Sequence, residues 1–157
     1  MPEATEHSIS RLLAGHRDYF DSGVTKDPGF RVRQLQKLKD AIRRYEPRII
    51  EALRQDLHKS DFEAYATEIG FTLESIGYMM KHLRRWAKPA RVKSPLHMFP
   101  SKSLILSEPY GTVLIIGPFN YPFQLLIEPL IGAVAAGNCA VLKPSESTPQ
   151  CQPSLRI

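Results

Sequence analysis

The sequence is short of several things, and each shortage excludes a class of protein. Cysteine occurs only at Cys139 and Cys151. That spacing forms neither a metal set nor a disulfide framework, and it suits a reducing compartment. The five histidines are scattered and mark no metal site. The start, Met1-Pro-Glu-Ala-Thr-Glu-His, carries acids and no apolar leader, so no secretory signal is read there. The longest apolar stretch, Phe123 to Ala136, is too short for a membrane span and contains Glu128 and Pro129. There is no internal repeat and no low-complexity tract. These features point to a cytoplasmic protein without a membrane span.

What is present is ordinary for a globular chain. The 157 residues suit one domain, with 43% hydrophobic and 24% charged residues. The net charge is +5. Lys and Arg spread over 31–54 and 81–102, but Asp40, Glu46 and Glu51 interleave with the first group. That pattern fits a solvated helix face. A nucleic-acid or anionic-membrane surface is the alternative, and no groove-reading motif supports it.

Residues 1–100 read as helical. Ile9, Leu12, Leu13, His16, Tyr19 and Phe20 recur at helical spacing, and Ser22-Gly23 ends that segment. Asp27-Pro28 begins a second helix as cap and first turn. Pro47 is expected to open a further one. Ser60-Asp-Phe-Glu63 has capping-box spacing and introduces a long helix through Ile69, Leu73, Ile76, Met80 and Leu83 to Trp86. Residues 91–100 read as a linker. Within 102–116 two strands joined by a short turn are predicted, with 101–111 forming a hairpin or bridging strand. The continuous apolar run 112–116 suits a strand buried on both faces.

Residues 112–146 then form a strand–helix–strand unit, which predicts a parallel pair. Pro122 suits a helix first turn, Pro129 is expected to kink the helix, and Gly137-Asn138 stops it. In such sheets ligands sit at the carboxyl ends of strands. Those ends are Gly117–Asn120 and Lys143–Glu146, so two polar loops converge on one edge. The fold class is α/β: an incomplete doubly wound, Rossmann-like cofactor domain preceded by a helical region.

The stretch Glu108-Pro-Tyr-Gly-Thr-Val-Leu-Ile-Ile-Gly-Pro-Phe-Asn-Tyr-Pro122, with Gly137-Asn-Cys-Ala-Val-Leu-Lys-Pro-Ser-Glu146, resembles the NAD(P)-dependent aldehyde dehydrogenase superfamily. The Asn-Tyr-Pro form looks most like the class 3 and fatty-aldehyde branch. The resemblance implies oxidation of an aldehyde to a carboxylic acid with NAD or NADP, in a protein that is usually a homo-oligomer. It implies that Asn120 donates to the oxygen that gains charge when a thiolate adds. Read without it, Asn120 is a helix cap or turn residue.

By the same resemblance, Lys143 and Glu146 bind the adenosine ribose, which favours NAD while leaving NADP possible. Otherwise they are a surface pair flanking Pro144. Ile116, Gly117, Pro118 and Phe119 match the backbone that lines the cofactor cleft, although Ile116 and Phe119 also suit plain core packing. Position 119 is often tryptophan in relatives, so phenylalanine is a departure. Cys139 lies in an apolar strand as a structural residue, and Cys151 lacks the context of the family's nucleophile.

The family's nucleophilic cysteine, general-base glutamate and pyrophosphate-side glycine turn are expected downstream. The chain alone is therefore expected to be inactive. The tail 147–157 opens like a helix at Thr148-Pro149, but Pro153 is expected to break it, as in a truncated, frameshifted or deliberately shortened reading frame. A non-catalytic helical interaction module with a basic surface is the alternative function.

Overall fold

A computed structural model describes residues 6–154. The reading of Met1–Thr5 as free of a leader, and the last three residues of the tail, lie outside the described residues. Helix α1 is Glu6–Asp21 and α2 is Pro28–Leu57. The Asp27 carboxylate caps α2 by accepting from the backbone N–H of Gly29 and Phe30 at 2.9 and 2.8 Å. These bonds hold its carboxyl below the usual carboxylate range. Pro47 does not open a new helix; it lies inside α2. Its ring faces solvent, so the helical carbonyl it leaves without a donor can turn to water.

The predicted long helix is a composite. α3 (Asp61–Ala64) begins where the Ser60 hydroxyl accepts from the Glu63 N–H. A π turn spans Tyr65–Ile69, closed by the Gly70 N–H bonding to the Tyr65 carbonyl. α4 (Gly70–Trp86) continues from it. Glycine eases the close approach there: a Cβ at Gly70 would stand 3.1 Å from the Tyr65 carbonyl oxygen and 3.2 Å from its ring, so those atoms would have to give by a few tenths of an ångström.

Two small sheets follow. β1 (Ala90–Val92) pairs antiparallel with β2 (Ser103–Ile105). The stretch 91–100 is thus not a plain linker, and β2 does not pair with the strand that follows it. The expected pairing across Glu108-Pro-Tyr-Gly111 does not form; β2 and β3 lie in separate two-stranded sheets. β3 (Thr112–Ile116) instead pairs in parallel with β4 (Cys139–Lys143), across α5 (Gln124–Ala136).

α5 explains its own composition. It packs on α2 and α4 on one side and on β3 and β4 on the other, so an apolar surface nearly all round is required. Leu35, Ile42, Ile49 and Leu53 of α2, Leu73 and Ile76 of α4, and Ile127 and Ile131 of α5 form the core. The helix runs through Pro129, which faces solvent. It ends in a Schellman motif: Gly137, at φ 93°, donates to Val134 O, and Asn138 donates to Ala133 O. β3 departs from the expectation of burial on both faces. Ile115 is buried, while Leu114 and Ile116 are 63% and 65% exposed, because α5 covers one face only.

The tail departs too. α6 (Cys151–Ser154) forms despite Pro153. Within a first turn the N–H that proline lacks would have had no helical partner.

Candidate active-site edge

The β3–β4 register aligns Ile116 with Lys143. Gly117 N–H then donates to Lys143 O at 2.9 Å, so the two strands end together. Both polar loops leave from that one edge, at the carboxyl ends of parallel strands.

The first loop is built for closeness. Gly117 is buried, and a Cβ there would meet Leu126 Cδ1 of α5 at 2.9 Å. Glycine thus lets the strand end lie against the helix that follows. Pro118 is half-buried, while Phe119 and Asn120 are exposed. Phe119 is 61% exposed and Ile116 is exposed as well, so neither serves as core. Tyr121 takes φ 47°, a left-handed conformation that non-glycine residues seldom adopt. Pro122 and Phe123 then plunge into the interior.

Asn120 does not cap α5. The cap comes from Glu68 in the π turn, 55 residues earlier. Its Oε2 accepts from the backbone N–H of Phe123 at 2.9 Å and of Gln124 at 3.2 Å. Its Oε1 accepts from Lys59 Nζ at 2.5 Å. The Glu68 side chain is fully buried and that of Lys59 is 9% exposed. Lys59 Nζ also stands 4.0 Å from the centre of the Tyr121 ring. Among the described residues, the Asn120 amide has no hydrogen-bond partner, so it is left open to solvent. Sequence reasoning missed Lys59 and Glu68. The available signal was a carboxylate four residues from both Ala64 and Thr72, on a row that proves buried.

The second loop is open. Lys143 Nζ and Glu146 Oε1 are 2.6 Å apart, with side chains 50% and 84% exposed. The ammonium holds the Glu146 carboxyl below its usual range, through the hydrogen bond first and the charge second. Both residues rim a groove of about 980 Å³ whose walls include Leu12 and Leu13 of α1 and Leu114 and Leu142 of the sheet. Beyond the loop, Asp56 of α2 accepts from Gln150 and Cys151 N–H and starts α6. An exposed ammonium beside an exposed carboxylate is a donor–acceptor pair suited to a sugar diol.

Neither cysteine suits a nucleophile. Cys139 is half-buried on β4, 3.7 Å from His16 O, and burial raises its thiol pKa. Cys151 is buried, and burial followed by the hydrogen bond and charge of Asp56 pushes its thiol far up.

The profile of the aldehyde dehydrogenase family matches residues 1–155, and the chain belongs to that family. It is 60% identical over 141 residues to the 4,4'-diaponeurosporen-aldehyde dehydrogenase of Staphylococcus aureus, covering 90% of this chain and 31% of that protein. It is 44% identical over 138 residues to a dimeric NADP-preferring aldehyde dehydrogenase of Canis lupus familiaris, covering 88% of this chain and 30% of that protein. The fold matches a substrate-bound Staphylococcus aureus AldH with a TM-score of 0.92 at 54% identity, over 94% of this chain and 32% of that one. The chain thus spans less than a third of the length of these relatives. The helical region lies within the family match, so it is part of this α/β fold rather than a separate basic module. Among the described residues no helix is long and apolar enough to cross a membrane.

Proposed function

We propose that this chain forms the oxyanion and ribose half of an NAD(P)-dependent aldehyde dehydrogenase that converts an aldehyde to a carboxylic acid. Asn120 donates its amide to the carbonyl oxygen as that oxygen gains charge. Ile116, Gly117, Pro118 and Phe119 line the cofactor cleft, and Lys143 and Glu146 hold the adenosine ribose. A nicotinamide cofactor held by these residues would supply the hydride acceptor. Glu146 accepts from the ribose hydroxyls and repels a 2′-phosphate, which favours NAD; Lys143 lends tolerance of NADP. Neither Cys139 nor Cys151 offers a ready thiolate, so the 157 residues alone are expected to turn over no aldehyde.

We assign the working protein to the cytoplasm, as a homo-oligomer. The β1–β2 segment carries strongly exposed apolar side chains at Leu96, Phe99 and Leu106, which suits an intersubunit face.

The observation that carries the reading is the Ile116–Lys143 register, which sends both polar loops off one edge. The test is Asn120→Ala in a full-length dehydrogenase containing this segment. The rate of NADH production should fall by about 10²–10³ while cofactor affinity holds. Parallel loss of stability, rate and cofactor binding would return Asn120 to a structural role.

A further inference from the structure

We infer that the buried Lys59–Glu68 pair is a positioning device for Asn120. This rests on Asn120 being the oxyanion donor. The chain of contacts is short. Gly70 admits the π turn that carries Glu68. The Glu68 carboxylate grips the amides of Phe123, just before α5, and of Gln124, its first residue, at 2.9 and 3.2 Å. Lys59 balances that carboxylate at 2.5 Å and sits 4.0 Å from the Tyr121 ring. Asn120 therefore lies between a strand end fixed by the Gly117–Lys143 hydrogen bond and a left-handed Tyr121 whose ring faces the Lys59 ammonium.

Physical cost argues for a role beyond holding the fold. Burying two charges is expensive, and an apolar pair of similar volume generally stabilises as well or better. A hydroxyl or amide cap on the Asn120 loop itself would satisfy the same amides more simply. What a carboxylate from another helix adds is a fixed external anchor. Charge-assisted bonds to backbone N–H groups are shorter and about twice as strong as neutral ones. They set where α5 begins and so where the residue three positions before Phe123 can stand. Neither Lys59 nor Glu68 touches the reacting atoms in this scheme; both act through Asn120.

The experiment is a double-mutant cycle in the full-length dehydrogenase. Glu68→Gln keeps size and an acceptor oxygen but removes the charge. Alone it should lower kcat by about tenfold to a hundredfold, as a misplacement near 1 Å does. KM for the cofactor should change by less than kcat, because the start of the cleft-lining stretch is held separately by the Gly117–Lys143 hydrogen bond and the proposed ribose pair lies on the other loop. In an Asn120→Ala background the same change should cost almost nothing further, since there is no amide left to position. Exchange of the Phe123 and Gln124 amides with deuterium should be faster in Glu68→Gln.

A loss from Glu68→Gln that adds in full to that of Asn120→Ala would overturn the positioning role. So would matched changes in kcat and cofactor KM. Full activity of Asn120→Ala would instead overturn the oxyanion reading and this inference with it, so the two failures are separable. Should Glu68→Gln fail to fold, Lys59→Met/Glu68→Gln replaces it and must show the same dependence on Asn120.

Discussion

Two loops leave the same edge of one sheet, and they are secured in opposite ways. The loop after β3 is tied by a fully buried carboxylate that reaches it from the π turn. The loop after β4 carries an exposed pair that binds itself, Lys143 to Glu146, three residues apart. The difference follows from what each loop is proposed to meet. Charge developing on one oxygen atom is stabilised only by a donor already in place, since reorganising it costs part of the gain. A ribose diol presents two hydroxyls to flexible side chains, and a few tenths of an ångström matter less there. Under the proposed roles, rigidity would sit where the chemistry is, and the open pair would be left to solvent where only gripping is required.

The sharpest way to break this contrast is stability. Glu68→Ala strands Lys59 without its counter-charge and opens the start of α5, which should cost the chain about 3–5 kcal/mol in urea unfolding. Glu146→Ala should leave the unfolding midpoint unchanged, because water already solvates both partners. Equal losses would show that the two loops are held alike.

A smaller effect concerns cofactor choice in a full-length enzyme containing this segment. Lys143→Ala should weaken NAD and NADP together, and Glu146→Gln should raise the relative use of NADP, both read by kcat/KM for each cofactor. A ratio unmoved by Glu146→Gln would make Glu146 an ordinary surface residue.

The smallest effect lies on α5 between the two loops. Burial pushes the Glu128 carboxyl above the usual range, opposed by a hydrogen bond from Ser75 at 2.9 Å. Its other oxygen is buried and has no partner among the described residues. A carboxyl raised in the folded state binds its proton more tightly there than when unfolded. Its contribution is therefore present below the unfolded pKa and is lost as pH rises through the folded one. Glu128→Gln fixes the neutral form and should raise Tm at neutral pH. The gain should shrink to nothing by about pH 4, where the native carboxyl is protonated as well. A gain independent of pH would point to packing instead.

Local patterns were legible where local physics decides them. Asp27 before Pro28 caps a helix because its side chain reaches amides two and three residues on. Gly137-Asn138 stops α5 because a left-handed residue closes the last carbonyls. The run of apolar residues in α5 announced a helix between two strands, and the paired motifs at 108–122 and 137–146 announced the family. Pro47 and Pro153 misled for one reason. A proline's cost depends on whether its missing bond would have had a partner, or whether water can replace it, and exposure and helix position settle that.

What the sequence could not reveal is pairing between distant parts. β2 pairs with β1 and β3 with β4, and in neither case with its neighbour across the turn. Glu68 meeting Phe123 and Gln124, and Asp56 meeting Cys151, join residues far apart in the chain. No periodicity encodes such meetings, because each follows from how α2, α4 and α5 pack. The identity and order of the elements were thus set by residues acting on their neighbours. The anchoring of the Asn120 loop was set only when packing brought a buried carboxylate to the open end of a helix.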